Sequence, residues 1–301
     1  MTVELIAPAA VAAAGGRVIG RRVEHVVRLA GSVGNHDFML STSIGDFVLK
    51  ASQNQDLVAE AWACQRVQRV GVVAPEIVGL EAEAPNLPMP FLVMRRLRGA
   101  PVDGPSPALR EAGQELALVH SIQLAGYGAL TVDGIDAIGA SDTWRHFVGD
   151  LTSGLELLVT ADILSEPLAD AASAALEQST GDLDFDRQAV LLHGDLKPAH
   201  IFASSERYTG LIDWGDACAG DPRLDLGRMS MAGPTVFAAF MSGYGLAITP
   251  ELDRVLACYR LVWNIDALTY EFRADGDWFD GYQSGIESAV NDLATNSSAS
   301  Q

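Results

Sequence analysis

The chain has 301 residues, 49% hydrophobic and 7% aromatic, which suits a folded globular protein and not a disordered one. Its net charge of −19 argues against a nucleic-acid partner, whose phosphates need a basic footprint, and suits a cationic ligand. Cys64, Cys218 and Cys258 are far apart and lack CxxC spacing, so neither a disulfide framework nor a zinc site is expected, and a reducing, cytoplasmic compartment is.

In chain order, residues 1–24 read as a short helix broken at Gly15-Gly16 and followed by a strand. The apolar run 5–14 has no basic leader and runs into Arg17, unlike a signal peptide. No run reaches the roughly 18 apolar residues of a membrane span. Alternation predicts strands over 25–30, 37–41 and 46–51. Between the first two lies the connection 31–36, which is either an ordinary hairpin loop or one where Gly31, Ser32 and Gly34 let backbone N–H groups approach phosphates. Lys50 ends the third strand. Residues 57–70 have helical spacing and carry Glu60, and Gly71 and Pro75 end that helix. Strands over 76–81 and 91–97 complete a small β-rich unit of five strands and one helix.

Beyond the connector 101–107 the pattern turns helical, over 108–121, 143–159 and 163–179. His120, closing the first of these, reads as a structural hydrogen-bonder. Two short strand runs, 189–192 and 208–212, flank His193-Gly194-Asp195, His200 and Ile212-Asp213-Trp214. Helices are expected near 236–244, 250–267 and 279–293, and an irregular Ser-rich tail over 296–301.

The spacing supports one chemistry. Asp195 is a candidate to orient a hydroxyl and accept its proton, and Asp213 a candidate to hold a metal on a nucleotide. Lys50 is a candidate phosphate ligand. Near the C-terminus Asp266, Glu271, Asp275, Asp277 and Asp280 alternate with Trp263, Tyr270, Trp278 and Phe279. That wall offers Asp266, Glu271, Asp275 and Trp278 to a substrate's amines and rings, or else is a solvated acidic loop flanked by core aromatics.

His193-Gly194-Asp195-Leu196, His200 and Ile212-Asp213-Trp214 together resemble the aminoglycoside phosphotransferase family, to which macrolide phosphotransferases and choline kinases are related. The resemblance implies an α+β, bilobal protein-kinase-like fold: a nucleotide-binding β-rich lobe over 1–98 and a larger, mainly helical catalytic and substrate lobe over 99–301. It also implies ATP or GTP, Mg2+ and a small-molecule acceptor, with no nucleic-acid or membrane partner. Asp195 matches the catalytic aspartate, Asp213 the metal aspartate, and Lys50 with Glu60 the lysine–glutamate pair. Main-chain groups near Arg95 and Leu97 match the purine-binding hinge, and His193 and Asp225 brace the catalytic loop. The family's second metal ligand is usually asparagine, and His200 stands there. Only residues 214–220 separate Asp213 from Asp221-Pro222, too few for a protein-kinase activation segment. The acceptor expected is a small cationic antibiotic; the alternatives are a kinase of an amino-alcohol or sugar metabolite, or a non-catalytic nucleotide-binding protein.

Overall fold

A computed structural model describes residues 6–29, 35–85 and 87–299. It begins with α1 (Pro8–Ile19), β1 (Val23–Arg28), β2 (Asn35–Thr42), β3 (Gly45–Ser52), α2 (Leu57–Gln68), β4 (Ile77–Glu81) and β5 (Phe91–Arg95). The five strands form one antiparallel sheet in the order β1-β2-β3-β5-β4. Alternation decides its packing: Phe38, Leu40, Phe47, Leu49, Phe91 and Val93 face α1, whereas Leu92 and Met94 meet Leu57 and Ala61 of α2.

The larger, helix-rich part contains β6 (Ala100–Pro101), α3 (Ala108–Val119), β7 (Tyr127–Asp133), β8 (Asp136–Ser141), α4 (Trp144–Thr152), α5 (Leu155–Thr160), α6 (Glu166–Gln178), α7 (Thr180–Leu183) and β9 (Val190–Leu192). After a 3-10 turn over Pro198–His200 come β10 (Ile201–Ser204), β11 (Arg207–Leu211), β12 (Cys218–Gly220), α8 (Arg223–Ser230), α9 (Pro234–Tyr244), α10 (Pro250–Arg273) and α11 (Phe279–Ala299). Two small sheets, β11-β10-β6 and β8-β7-β12-β9, lie among the helices. Among the described residues no helix is long and apolar enough to cross a membrane.

Four expectations are corrected. α1 runs through Gly15-Gly16 and ends at Gly20 in the left-handed conformation, and no strand precedes β1. Gly15 is not a break but a packing point, since a Cβ there would collide with Leu40. The single helix expected over 143–159 is two, split at Gly154, where a Cβ would meet Thr269 of α10. The β7–β8 hairpin fills a stretch given no element from sequence. Finally, α11 continues through Ala299, because extending a formed helix avoids the cost of nucleation, so residues 296–299 are not irregular.

Helix α2 links the two parts. Asp56 caps it, accepting from the N–H groups of Val58 and Ala59. Its Trp62, Ala63, Cys64 and Val67 share a core with Leu116, Leu211 and Trp214 of the larger part. Trp62 Nε1 donates to Ile135 O, in the β7–β8 turn, at 2.9 Å. Glu60 lies one half-turn before Trp62, so this contact fixes the helix that carries it. Trp62→Phe keeps the bulk and removes the donor; it is expected to cost about 1 kcal/mol in chemical denaturation.

Candidate active site

Two strand pairs bring the sequence motifs together. His200 and Asp213 flank the β10–β11 hairpin, whose pairing of Ile201 with Leu211 is extended by a hydrogen bond from Ile212 N to His200 O at 3.0 Å. Residues thirteen apart in sequence thus meet at the mouth of one hairpin. His193, Gly194 and Asp195 follow β9, which is held by β12. Gly194 has φ of +87°, and a Cβ there would collide with Asp216 O, so no other residue fits between His193 and Asp195.

Asp225 fixes this loop from below. It is fully buried and accepts the N–H groups of His193 and Gly194, each at 2.8 Å. It also accepts His120 Nε2–H at 3.0 Å, and His120 Nδ1 is hydrogen-bonded to Tyr244 Oη at 2.9 Å. Desolvation raises the Asp225 pKa, but the bonds from His120 and His193 hold it below the ordinary carboxylate range. His193 Nε2 donates to Ile212 O at 2.9 Å, tying the two motifs together. Asp225→Ala would strand three buried donors, and a loss of about 3–5 kcal/mol in denaturant unfolding is expected.

Lys50 lies at the centre of a second cluster. Its Nζ lies 3.0 Å from Glu60 Oε2 and 2.7 Å from Asp213 Oδ1. Desolvation disfavours the Lys50 ammonium, yet Glu60 and Asp213 more than offset this and keep it charged. Glu60, almost wholly buried, is pushed up to about 7, because desolvation outweighs the half-share of Lys50 that it receives. Asp213 holds φ of +66°, a conformation costing roughly 1–2 kcal/mol. Lys50 anchors it there. Asp37 of β2 pairs in register with Lys50, and its Oδ1 is buried with no partner among the described residues.

The donor set fits a divalent cation. His200 Nδ1 lies 2.9 Å from Asp195 O, a carbonyl that can only accept, so Nδ1 carries the proton. Burial pushes His200 down to about 4, so the ring is neutral and Nε2 bears a lone pair. That lone pair faces Asp213 Oδ2 at 3.3 Å. A lone pair and a carboxylate oxygen at this distance fit a shared divalent cation. Among the described residues no group of three or more His, Cys, Asp or Glu side chains is arranged around one metal position. A divalent ion would therefore draw most of its ligands from phosphate and water, as magnesium ordinarily does.

Asp195 has both oxygens engaged: Oδ1 by Arg228 Nε and Oδ2 by Lys197 Nζ, each at 2.7 Å. Desolvation raises its pKa, but Arg228, His200 and Lys197 bring it below the ordinary range. Desolvation together with Asp213 and Asp195 pushes Asp216 up to about 6. Asp266, half-buried on α10, is pushed up to about 7 by desolvation and by Asp216.

The expected acidic wall is divided. Asp266 faces the cleft acids. Glu271 instead turns inward and accepts the N–H groups of Asp277 and Trp278, each at 3.2 Å, so it caps the α10–α11 connection and is not free for a substrate. Asp275 is exposed on that connection, and Asp280 faces a groove beside Leu164 and Leu168 of the α6 region. Trp278 is exposed but touches Tyr282, which touches Trp263. Arg95 pairs with Glu76, and the N–H groups of Arg95 and Arg96 already bond Glu76 O and Asp46 O. Leu97 N–H has no partner among the described residues. Gly31, Ser32 and Gly34 lie outside the described residues.

Sequence reasoning passed over Lys197, Asp216, Arg228 and Asp37. Asp216 and Lys197 sit inside the recognised motifs, and Arg228 is one helical turn after Asp225, so their positions carried a signal.

Comparison with solved structures shows the same fold. Aminoglycoside phosphotransferase APH(4)-Ia superposes with a TM-score of 0.73 at 17% identity, covering 94% of this chain and 99% of that one. A candidate fructosamine-3-kinase from Thermobifida fusca gives a TM-score of 0.68 at 19% identity, covering 93% and 98%. The GDP and kanamycin complex of APH(2″)-IIIa gives 0.66 at 20% identity, covering 91% and 94%. The family model for the APH phosphotransferase enzyme family matches residues 25–258. With most of its length matched by that model, the chain belongs to the APH family and is a phosphotransferase with the bilobal, protein-kinase-like fold.

Proposed function

We propose that the protein transfers the γ-phosphoryl group of ATP or GTP to a hydroxyl of a small cationic molecule, bound between a nucleotide lobe (1–98) and an acceptor lobe (99–301). The observation that carries this reading is the convergence of Lys50, Asp213, His200 and Asp195 within one network of contacts. Solved relatives support the nucleotide: a mutant of APH(4)-Ia is a ternary complex with ADP and hygromycin B, and APH(2″)-IIIa is a complex with GDP.

In this mechanism Lys50, braced by Glu60, grips the phosphates, and the loop with Gly31, Ser32 and Gly34 covers them. The purine uses main-chain groups around Arg95 and Leu97. Asp213 and His200 would hold magnesium, which would supply neutralisation of phosphate charge. Asp195 accepts the hydrogen bond of the acceptor hydroxyl and aims its oxygen at the γ-phosphorus. As the new O–P bond forms, the bond to the bridging oxygen breaks, its electron pair leaves with the nucleoside diphosphate, and the hydroxyl proton passes to Asp195. The lowered pKa of Asp195 makes it an orienting group more than a strong base, which suffices for a loose phosphoryl-transfer transition state. His193 and Asp225 hold the loop.

An antibiotic is the favoured acceptor, with resistance by covalent inactivation as the outcome and the cytoplasm as the location. Asp266 and Asp216 supply the carboxylates for its amines. The likeness to the Thermobifida fusca protein supports a second reading, a kinase of aminated sugars. Nucleoside diphosphate release should be followed with ATP and GTP against aminoglycosides, macrolides, peptide antibiotics, amino alcohols and fructosamines. Turnover confined to one antibiotic class upholds the first reading, and turnover confined to fructosamines replaces it with the second.

His200→Asn tests the metal assignment. An amide oxygen suits magnesium better than imidazole nitrogen does. The variant is expected to keep or raise activity and to need less magnesium for half-maximal rate. A complete loss with a normal unfolding midpoint would contradict the assignment.

A further inference from the structure

The geometry points to Arg228 as the positioning residue for Asp195, with the ring of Trp263 as the platform that holds it. This rests on the phosphotransfer reading above. Arg228 is held on three sides. Its Nε donates to Asp195 Oδ1 at 2.7 Å, its guanidinium carbon lies 3.7 Å from the centre of the Trp263 ring, and its Nη1 approaches Met231 Sδ at 3.8 Å. Its side chain is only 12% exposed, whereas that of Lys197, on the other oxygen, is 33% exposed.

Helix α8 makes this possible. Asp225 and Arg228 are three positions apart and so lie on one face of the helix. Asp225 grips the backbone of His193 and Gly194, and Arg228 grips the carboxylate of the next residue. One helix face thus fixes both where the catalytic loop runs and how its aspartate is turned. A planar guanidinium can stack and donate along its edge at once, which an ammonium cannot. With Oδ1 held by a buried, stacked cation, Oδ2, whose partner Lys197 is the more exposed of the two, is the oxygen more open to an acceptor hydroxyl.

The contact also couples the base to the outer aromatics. Trp263 touches Tyr282, which stands edge-on to Trp278 at 4.6 Å. Trp263 is consequently not an open surface for a substrate ring, because its face is covered by Arg228. An acceptor meeting Trp278 would bear on the same stack that orients Asp195.

The test is steady-state kinetics of Arg228→Gln, Arg228→Lys and Trp263→Leu, with the full chain and an acceptor found by the panel above. Misplacing the aspartate predicts a fall in kcat of about 10²-fold for Arg228→Gln, with the KM for nucleotide unchanged. Arg228→Lys restores the charge and recovers part of the loss, and Trp263→Leu, which keeps the ion pair, shows a smaller fall. In the background of Asp195→Asn, adding Arg228→Gln costs nothing further, because its effect runs through Asp195. Independent, multiplying losses in that pair overturn the inference, as does a rise in the KM for nucleotide with kcat intact. Where Arg228→Gln does not fold, the other two decide, and unchanged kcat in both overturns it. A wild-type protein that transfers no phosphoryl group overturns the phosphotransfer reading and this inference with it. An active wild type with unaffected variants overturns only the inference.

Discussion

Asp195→Asn lowers kcat for phosphoryl transfer by about 10²–10⁴-fold, the range for a lost general acid–base group, while nucleotide affinity stays close to that of the wild type. The carboxylate has no contact with Lys50 or Glu60, whose ion pair belongs to the phosphate side. The substitution is nearly isosteric but not silent locally. Whichever way the amide is turned, its NH2 faces either Arg228 Nε or Lys197 Nζ, two donors that require an acceptor. Some relaxation of those two side chains accompanies the loss of turnover. Isothermal titration with a non-hydrolysable nucleotide, alongside acceptor kinetics, checks the separation. Equal loss of binding and turnover would contradict the role given to Asp195.

Lys50→Met has the second large effect, on stability as well as on turnover. It leaves Glu60, almost wholly buried, and the strained Asp213 without their shared cation. Removing one partner of a buried pair costs about 3–5 kcal/mol. The cost depends on pH in a defined direction. Glu60 already has a folded pKa of about 7, above its unfolded value, and loss of the ammonium raises it further. A carboxyl raised in this way stays protonated in the folded state at low pH, and its penalty grows as pH climbs from the unfolded pKa toward the folded one. The variant's deficit, measured by denaturant unfolding, is therefore smaller at pH 5 than at pH 8. Adding Glu60→Gln to Lys50→Met removes the stranded charge and recovers part of the stability. A deficit that does not change between the two pH values would mean that Glu60 is not the stranded group.

The sequence made much of this legible where local pattern and final environment agree. The strands of the first sheet alternate because one face meets α1 and the other α2, and such a pattern survives into the fold. The motif residues His193, Asp195, His200 and Asp213 were legible because the chemistry fixes their types. Gly15-Gly16 misled, since a glycine that ends a helix and one that lets a helix pack closely look alike in sequence. The β7–β8 hairpin was missed although Asp133-Gly134 between apolar runs is hairpin chemistry, because glycines thin out its alternation. Glu271 read as a carboxylate for a substrate's amines, and only the fold shows the two N–H groups it serves. For Arg228 only its spacing from Asp225 was legible; its partners, Asp195 and Trp263, were not, because they lie more than thirty residues away on either side.

The central claim is that Asp195 directs a phosphoryl group from a nucleotide to a small-molecule hydroxyl. It is tested most directly by mass spectrometry of candidate acceptors after incubation with nucleoside triphosphate and Mg2+, wild type and Asp195→Asn side by side. The account predicts that one acceptor class gains a single phosphoryl group on a hydroxyl with the wild type and is left unmodified by the variant. No gain on any acceptor with a nucleotide-binding wild type, or an equal gain with the variant, would contradict it.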